Sequence, residues 1–297
     1  MASLVAIAGT ADRNPKLDPA ALLLKQGLLI ELLRDMKRVL IAYSGGTDSA
    51  YLAWAAKLAL GDEAVAITAD SPSIPDSHKR DAVAFALSHG IRHEMIPTSE
   101  FENPEYVANN PDRCFHCKDE LFRVMDLIAA QRGFEHIVYG VNVDDLGDFR
   151  PGQSAAKLHK VKAPLVDAGL SKSEIRELSK LAVLETWDRP AAACLSSRIP
   201  YGTEVTPERI KVIEQGEEAV KALGFRQFRV RYHEKLVRIE ISPEELDKAL
   251  NLDCAAALTK IFKSLGFHYV TLDLEGYRQG SLNAGLSEKI RQSSISI

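Results

Sequence analysis

The hydrophobic and polar positions alternate between two kinds of pattern along the first half of the chain. Stretches with an apolar repeat of about 3.6 residues predict helices, and short apolar runs rich in β-branched residues predict strands buried on both faces. The predicted helices cover residues 16–36, 48–61, 76–89 and 118–132, and the predicted strands cover residues 38–44, 64–70, 91–98 and 136–142. This alternation predicts an α/β fold with a doubly wound parallel sheet, in which ligands bind at the carboxyl ends of the strands.

The pattern changes near residue 200, where the sequence RIPYGTEVT (198–206) contains a Pro and a Gly that interrupt the periodicity. Beyond this break, two stretches each predict a helix, a Leu-Gly-Phe turn and a strand. Between them, the sequence FRVRYHEKLVRIEI (228–241) predicts a hairpin that turns near His233–Lys235. We therefore divide the chain into a flexible leader (1–15), an α/β domain (16–200) and a smaller C-terminal α+β domain (201–297).

Charge and hydropathy narrow the class of protein. The net charge of −4 gives no basic surplus, so the composition does not favour a nucleic acid as the partner. No apolar run reaches the roughly 18 residues of a membrane span, and the N-terminus lacks the basic and apolar regions of a signal peptide. We expect a cytoplasmic protein that does not enter a membrane, in which cysteines stay reduced and serve as ligands or nucleophiles.

The sequence AYSGGTDS (42–49) carries the strongest functional signal. A predicted strand runs into Ser44, Gly45 and Gly46, and a predicted helix begins near Asp48 and Ser49. Glycines let backbone N–H groups approach a phosphate, and a helix N-terminus adds a favourable dipole. The alternative is a plain glycine turn with Asp48 as the N-cap, which the strand before and the helix after disfavour.

This loop is not a Walker A loop, because it lacks Gly-Lys-Ser/Thr. It resembles the SGGxDS loop of the PP-loop ATP pyrophosphatases. That resemblance implies a PP-loop domain over residues 16–200, which cleaves ATP between the α and β phosphates, adenylates an oxygen of its substrate and releases pyrophosphate. A carboxylate such as Asp48 beside a triphosphate requires Mg²⁺ between them, so we expect Asp48 to be a magnesium ligand.

Two further segments follow predicted strands. Asp70 ends the second strand and could meet the adenine or ribose, or it could equally serve in a turn or as a helix cap. The sequence YGVNVDDLGDFRPGQSAA (139–156) resembles the matching loop of the same superfamily, and its Asp144, Asp145, Asp148 and Arg150 could approach phosphates or metal. The alternative for this segment is a solvated loop.

The four cysteines fall into three settings. Cys254 lies in an apolar helical stretch, where we expect a buried structural residue. Cys194 lies in RPAAACLSSRIPYG (189–202), where Arg198 could favour the thiolate. Cys114 and Cys117 form a Cys-x-x-Cys pair in RCFHCK (113–118), a spacing typical of a metal site or a redox pair.

Several motifs together resemble the LarE family of sulfur insertases. They are SGGTDS, GVNVDDLGDFRPG (140–152), ACLSSR (193–198) and the strand sequence FRVRYHEKLVRIEI. The resemblance implies ATP-dependent activation of the carboxylates of a small nucleotide, pyridinium-3,5-biscarboxylic acid mononucleotide. Sulfur then displaces AMP and leaves thiocarboxylates for the nickel-pincer cofactor of lactate racemase. It also implies Asp48 and Cys194 as catalytic residues, and a homo-oligomer in which the C-terminal domain serves substrate binding and assembly.

The family resemblance leaves two roles for Cys194. In one branch the matching cysteine is the sulfur donor and becomes dehydroalanine. In the other, Cys114, Cys117 and Cys194 would hold a [4Fe–4S] cluster whose extra sulfide is the donor, and we favour this branch because it uses all three thiols. The alternatives for the pair are half of a zinc site that includes His116, a thioredoxin-like redox pair, or a structural role.

Arg229 and Arg231 alternate along one predicted strand, so they share a face. Together with Arg198 they could bind the phosphate of the substrate nucleotide, because guanidinium groups match phosphate geometry. The alternative is a solvated strand face.

Three rival functions remain. A tRNA thiolase can also combine a PP-loop with three cysteines and a cluster, but the acidic composition disfavours it. A ligase that uses ammonia leaves the cysteines unexplained. A nucleotide sensor without catalysis needs neither Asp48 nor the cysteines.

Overall fold

The computed structural model describes residues 17–147, 151–190 and 193–278, and the predicted leader, Asp148 and Arg150 lie outside these ranges. The strands are β1 (Val39–Ala42), β2 (Ala64–Asp70), β3 (Arg92–Pro97), β4 (His136–Tyr139), β5 (Phe228–His233), β6 (Leu236–Ile241) and β7 (Tyr269–Leu272). The helices are α1 (Pro19–Met36), α2 (Thr47–Leu60), α3 (Asp76–Ser88), α4 (Pro104–Val107), α5 (Arg113–Arg132), α6 (Pro151–Leu158), α7 (Pro164–Asp167), α8 (Lys172–Leu181), α9 (Pro207–Ala222), α10 (Leu246–Ala249) and α11 (Leu252–Ser264).

The first four strands form a parallel sheet in the order β3-β2-β1-β4, which confirms the predicted α/β architecture with a parallel sheet. Strand β1 is central and every one of its residues is buried, as its continuous apolar sequence predicts. Side chains alternate between the faces: Val39 and Ile41 pack into one hydrophobic cluster, whereas Leu40 and Ala42 pack into another. Helices therefore cover both faces of the sheet.

The helices divide between these two faces. Residues of α1, α2, α3 and α8 form the cluster on one side, and residues of α5 and α6 form the cluster on the other. Helix α2 is rich in alanine, and its buried residues let it lie close over β1 and β2. The carboxyl ends of β1, β2 and β4 then lie side by side, because the three strands are parallel neighbours.

Several element boundaries differ from the sequence-based prediction by a few residues, and two of these differences lie near the candidate site. Helix α5 begins at Arg113 rather than near residue 118, so Cys114 and Cys117 lie in its first turns. The sequence around the pair has no clear apolar repeat, and for that reason periodicity does not find this part of the helix. Strand β4 ends at Tyr139 rather than at residue 142.

The C-terminal part contains a second sheet in the order β5-β6-β7. Strands β5 and β6 form the predicted antiparallel hairpin, with His233 opposite Leu236 and a turn in which Glu234 has a φ of 55°. The two Leu-Gly-Phe turns both follow helices, and their glycines, Gly224 and Gly266, have φ of 86° and 94°. A side chain at either position would strain the backbone, which explains the shared glycine.

The predicted break near residue 200 is held firmly by its surroundings. The side chain of Asn109 donates to the carbonyls of Pro200 and Thr203 at 2.8 Å each, and Val205 N–H donates to Val107 O at 2.9 Å. Ile199 and Val205 are fully buried in one cluster with residues of α9. The division into two domains at this point stays a prediction. Of the helices in the described ranges, none has the length and apolar character needed to cross a membrane.

Candidate functional site

The glycine loop joins β1 to α2 at the carboxyl edge of the sheet. Gly45 has a φ of 72°, and a Cβ built on it would lie 3.0 Å from the Cβ of Ala82 in α3. Gly46 is the N-cap of α2, and the hydroxyl oxygens of Ser44 and Ser49 are 3.1 Å apart. The loop therefore presents backbone N–H groups and two hydroxyls at a helix N-terminus, which is a favourable site for phosphate.

The end of β4 lies directly against this loop. A Cβ on Gly140 would lie 2.7 Å from the backbone nitrogen of Ser49, so only glycine fits there without a shift of α2. The following turn contains Asp145, which is largely buried and accepts a hydrogen bond from Asn142 N–H at 3.1 Å. The structure thus brings the predicted loop after β4 to the glycine loop, as the parallel sheet predicts.

Asp48 forms an ion pair that sequence analysis missed. Both of its carboxylate oxygens accept hydrogen bonds from Lys172 Nζ, at 2.8 and 2.7 Å. Burial raises the pKa of Asp48, the charge of Lys172 opposes that shift, and the charge of Asp145 adds to it. Lys172 begins α8, and its own N–H donates to the Asp144 carboxylate at 2.8 Å. Three acidic groups and one lysine therefore meet beside the glycine loop.

The sequence around Lys172 predicts a helix start but no functional role for the lysine. It follows Ser171, which forms a capping box with Glu174 at the start of α8. That pattern predicts a helix start but gives no function to the lysine between the two capping residues.

Asp70 lies at the carboxyl end of β2, as predicted, but its side chain is exposed. It pairs with Lys79 of α3, whose Nζ lies 2.8 Å from Asp70 Oδ1. The proposed role of Asp70 in binding adenine or ribose stays a prediction.

One chain segment links the glycine loop to Cys194. Thr47 donates its hydroxyl proton to Thr186 O at 2.8 Å, and Arg189 Nη1 donates to Gly45 O at 2.7 Å. Farther along the same segment, Leu195 N–H donates to Ser73 O at 2.8 Å. Thr186 and Arg189 are therefore anchored at the glycine loop, and Leu195, next to Cys194, is anchored at the turn after β2. Sequence analysis gave no role to Arg189, although it is the first residue of the stretch quoted around Cys194.

The two cysteine motifs meet at Ser196. Arg113, which precedes Cys114, donates to Ser196 O at 2.8 Å, and Tyr106 shares a hydrogen bond of 2.7 Å with the Ser196 hydroxyl. Burial and the nearby charge of Cys194 raise the pKa of the Cys114 thiol. Burial raises the pKa of Cys117 strongly, and the charges of Glu100 and Cys194 add to that shift. The three thiols are therefore close enough to influence one another electrostatically.

To bind a single metal ion, several side chains must point at one position as well as lie near one another. Across the described residues, no three side chains of His, Cys, Asp or Glu converge on a point where one ion could bind. All four cysteines are free thiols, and Cys254 is half-buried in α11 rather than fully buried.

The three predicted substrate arginines are mostly engaged inside the protein. Arg198 makes a bidentate ion pair with Glu217 at 2.8 and 2.9 Å and donates to Cys194 O at 3.0 Å. Arg231 pairs with Glu240 at 2.7 Å and donates to Ser197 O at 2.9 Å. Arg198 and Arg231 are buried, so the alternative of a solvated strand face is wrong for Arg231.

Arg229 differs from the other two arginines. Its guanidinium carbon lies 4.9 Å from the centre of the Tyr277 ring, and the side chain is only half-buried. Burial lowers the pKa of Arg229, and the neighbouring charge of Arg198 lowers it further. Binding of the substrate phosphate by these arginines stays a prediction.

Comparison with known proteins gives the family. No family model matches the chain. An uncharacterised protein of Synechocystis sp. is 44% identical over 260 residues, which cover 88% of this chain and 97% of the relative. Pyridinium-3,5-bisthiocarboxylic acid mononucleotide synthase of Lactiplantibacillus plantarum is 32% identical over 271 residues, which cover 91% of this chain and 97% of the synthase. An uncharacterised protein of Methanocaldococcus jannaschii is 30% identical over 242 residues, which cover 82% of this chain and 91% of the relative. With a glycine loop, a cysteine motif and a synthase related over nearly its full length, the chain belongs to the LarE family of sulfur-inserting enzymes.

Proposed function

We propose that this chain is an ATP-dependent sulfurtransferase that works through an acyl-adenylate. Its substrate would be pyridinium-3,5-biscarboxylic acid mononucleotide, and its product would carry thiocarboxylates for a nickel-pincer cofactor. The observation that carries the proposal is a set of three anchors near Cys194: Thr186 and Arg189 hydrogen-bond the glycine loop, and Leu195 hydrogen-bonds Ser73 in the turn after the neighbouring strand β2. In the proposed reaction one substrate carboxylate must meet both ATP and the sulfur donor, and these anchors support a location of Cys194 near the glycine loop.

The glycine loop and α2 would bind the triphosphate. Backbone N–H groups at the N-terminus of α2, with the hydroxyls of Ser44 and Ser49, supply neutral donors. Lys172 supplies a positive charge at the same place. In the adenylation step these groups would stabilise the charge that develops on the leaving pyrophosphate.

The acidic groups fit a magnesium ion. Asp48 and Asp145 lie within electrostatic reach of each other, and carboxylate oxygens are the ligands that Mg²⁺ prefers. Asp48 would hold the ion, with Asp145 as the second candidate ligand. When bound, Mg²⁺ would neutralise phosphate charge, and Lys172 would help to hold the Asp48 side chain in place.

The donor set of Cys114, Cys117 and Cys194 fits the proposed [4Fe–4S] cluster. Each cysteine of a cluster binds a different iron, so the sulfurs need not converge on one point as they must for a single ion. The three thiols are free and influence one another. Burial and the charge of Cys194 raise the pKa of Cys114, and the positive charges of Arg113 and Lys118 oppose that shift. The bound cluster would supply a sulfide as the sulfur donor, and Cys194 would then be retained rather than consumed.

The buried arginines would shape the substrate side. Arg198 and Arg231 hold Cys194 O and Ser197 O and thereby fix the cysteine turn. Arg229 is the most exposed of the three and is the best candidate to reach the substrate phosphate.

Product analysis tests the proposed function. The anaerobically reconstituted protein is incubated with MgATP, sulfide and the pyridinium dicarboxylate, and the products are identified by mass spectrometry. We expect AMP, pyrophosphate and a thiocarboxylate, and we expect Asp48→Asn to abolish all three. If the wild-type chain forms neither AMP nor thiocarboxylate with this substrate, the assignment is wrong.

Iron analysis tests the cluster separately. Reconstitution should give about four irons and about four sulfides per chain. Cys114→Ala should lower the iron content sharply, whereas Cys254→Ala should leave it unchanged because Cys254 lies in α11. Unchanged iron in Cys114→Ala contradicts the three-cysteine site.

A further inference from the structure

His78 lies in the first turn of α3, on the side of the helix that packs against the glycine loop. The contact between α3 and the loop is made by Ala82, whose Cβ lies 3.0 Å from the position of a Cβ on Gly45. Residues four apart lie on the same helix face. His78 therefore shares this face with Ala82 and lies one turn nearer the N-terminus of α3. Arg189 strengthens the contact, since it donates to Gly45 O at 2.7 Å and pairs with Asp81 at 3.2 Å.

The cysteine motif approaches the same end of α3. Leu195 N–H donates to Ser73 O at 2.8 Å, and Ser73 lies in the turn that leads into α3. Arg198, which donates to Cys194 O at 3.0 Å, is close enough for its charge to act on His78. His78 therefore lies on the face of α3 that contacts the glycine loop, at the end of the helix that the cysteine motif approaches.

The imidazole of His78 is half-buried and has an available lone pair. Neither ring nitrogen has a hydrogen-bond partner within the part of the chain that the structure describes. Burial lowers the pKa of His78, and the guanidinium groups of Arg189 and Arg198 lower it further against the opposing charges of Asp81 and Glu217. The ring is thus neutral near pH 7.

Nearby carboxylates are less suited to accept a proton. Both carboxylate oxygens of Glu217 accept hydrogen bonds from Arg198 in an ion pair. Asp81 is paired with Arg189. Glu100, the acidic group next to Cys117, is buried and accepts hydrogen bonds from the hydroxyls of Ser71 and Ser73.

We propose that His78 is a catalytic residue, the general base that accepts the proton of the attacking S–H group in the sulfur-transfer step. The inference rests on the proposed function. As the sulfur forms its bond to the activated carbonyl carbon, the S–H proton moves to a ring nitrogen of His78. The bond from that carbon to the AMP oxygen breaks, AMP leaves with the electron pair, and the imidazolium later returns its proton to water. The S–H group is a hydrosulfide, because the proposed function retains Cys194 as a cluster ligand.

The test separates adenylation from sulfur transfer. His78→Gln is compared with the wild type and with His136→Gln, a control at the amino end of β4, away from the carboxyl edge. ATP–pyrophosphate exchange that depends on the pyridinium dicarboxylate reports adenylation, and single-turnover thiocarboxylate formation reports sulfur transfer. We expect exchange within about twofold of wild type in both variants. Thiocarboxylate formation should fall by about 10²-fold or more in His78→Gln only.

The pH profile and chemical rescue distinguish a general base from a residue that only supports the structure. In the wild type, sulfur transfer should slow as the pH falls through a value below 6.5, the ordinary pKa of histidine, and this acid limb should be absent in His78→Gln. Added imidazole should partly restore sulfur transfer in His78→Ala. Intact mass after one turnover shows whether Cys194 has lost its sulfur, which identifies the S–H source.

Two outcomes overturn the proposal. Normal thiocarboxylate formation in His78→Gln shows that the base lies elsewhere. Equal loss of exchange and sulfur transfer, without rescue by imidazole, shows that His78 only supports the nucleotide loop. Failure of the proposed function is recognised differently, by the absence of exchange in the wild type.

Discussion

At the scale of single residues, the ion pair of Asp48 and Lys172 is the main charged feature beside the glycine loop. Lys172 holds both carboxylate oxygens of Asp48 where a metal-bound triphosphate is proposed to bind. The charge of Asp48 would hold Mg²⁺, and the charge of Lys172 would offset the phosphates. Both groups are needed because a triphosphate beside an uncompensated carboxylate is repelled.

Replacement of Lys172 tests this pairing. Lys172→Met should slow ATP–pyrophosphate exchange by about 10²-fold, because it removes a charge that stabilises the leaving pyrophosphate. The matched control is Lys57→Met, at the far end of α2. Lys57 Nζ lies 2.7 Å from Asp62 Oδ1, so this variant also removes a paired lysine. Exchange in Lys57→Met should equal that of the wild type. Equal rates in both variants would show that Lys172 has no part in adenylation.

Residues of the site differ in how far the sequence predicts them. Ser44, Gly45, Gly46, Asp48 and Ser49 are adjacent in one motif, so their proximity follows from the chain itself. Lys172, Arg189 and Arg113 reach the site from distant elements, and each has an ordinary local explanation such as a helix start. They reach the site only through tertiary packing, which the local sequence does not predict.

At the scale of elements, two close contacts position the site. Gly140 at the end of β4 lets the backbone of α2 approach, and α6 is held against α5 by a histidine between two aspartates. The sequence predicts the strands and most helices from their periodicity. It does not predict that α5 begins at Arg113, since the turns that carry the cysteines lack an apolar repeat.

Gly140→Ala should damage both stability and adenylation. The added Cβ would lie 2.7 Å from Ser49 N and 2.8 Å from Ser49 Cα, so the start of α2 must shift. We expect a loss of about 1–3 kcal/mol in the free energy of unfolding, together with slower exchange. The control is Gly27→Ala in α1, where no atom lies within 4 Å of the new Cβ, and helix propensity predicts a gain of about 0.5–1 kcal/mol. Urea denaturation of both variants measures the difference, and an unaffected Gly140→Ala would contradict the close approach.

His159 should make the packing of α6 on α5 depend on pH. Its ring nitrogens lie 2.5 Å from Asp126 and 3.0 Å from Asp119. Burial lowers the pKa of His159, but the two carboxylates outweigh burial and raise it. A raised pKa means that the charged pair stabilises the fold fully below the unfolded value of about 6.5 and stops doing so as the pH rises through the folded value.

The measurement compares wild type and His159→Gln in urea at about pH 6 and pH 9. At about pH 6, the free energy of unfolding of the wild type should exceed that of His159→Gln by about 0.5 kcal/mol. This difference should be smaller at about pH 9. A difference that is constant or grows with pH would show that the histidine acts only through its shape.

At the scale of the whole molecule, the two sheets are joined through the cysteine turn. Arg113 from α5, Arg198 from the turn itself and Arg231 from β5 all donate to backbone carbonyls between Cys194 and Ser197. The sequence predicts a break near residue 200 from its Pro and Gly, yet the structure buries Ile199 and Val205 there. Local turn residues cannot reveal this burial, because it depends on Asn109 and α9.

The central proposal is that the substrate carboxylate is adenylated before sulfur arrives. The most direct measurement uses pyridinium dicarboxylate labelled with ¹⁸O in its carboxylates and follows the label by mass spectrometry during turnover with MgATP. An acyl-adenylate requires a carboxylate oxygen to leave on the phosphate, so AMP should carry one ¹⁸O for each thiocarboxylate formed. Unlabelled AMP, with the label in inorganic phosphate or still on the carboxylate, would contradict adenylation.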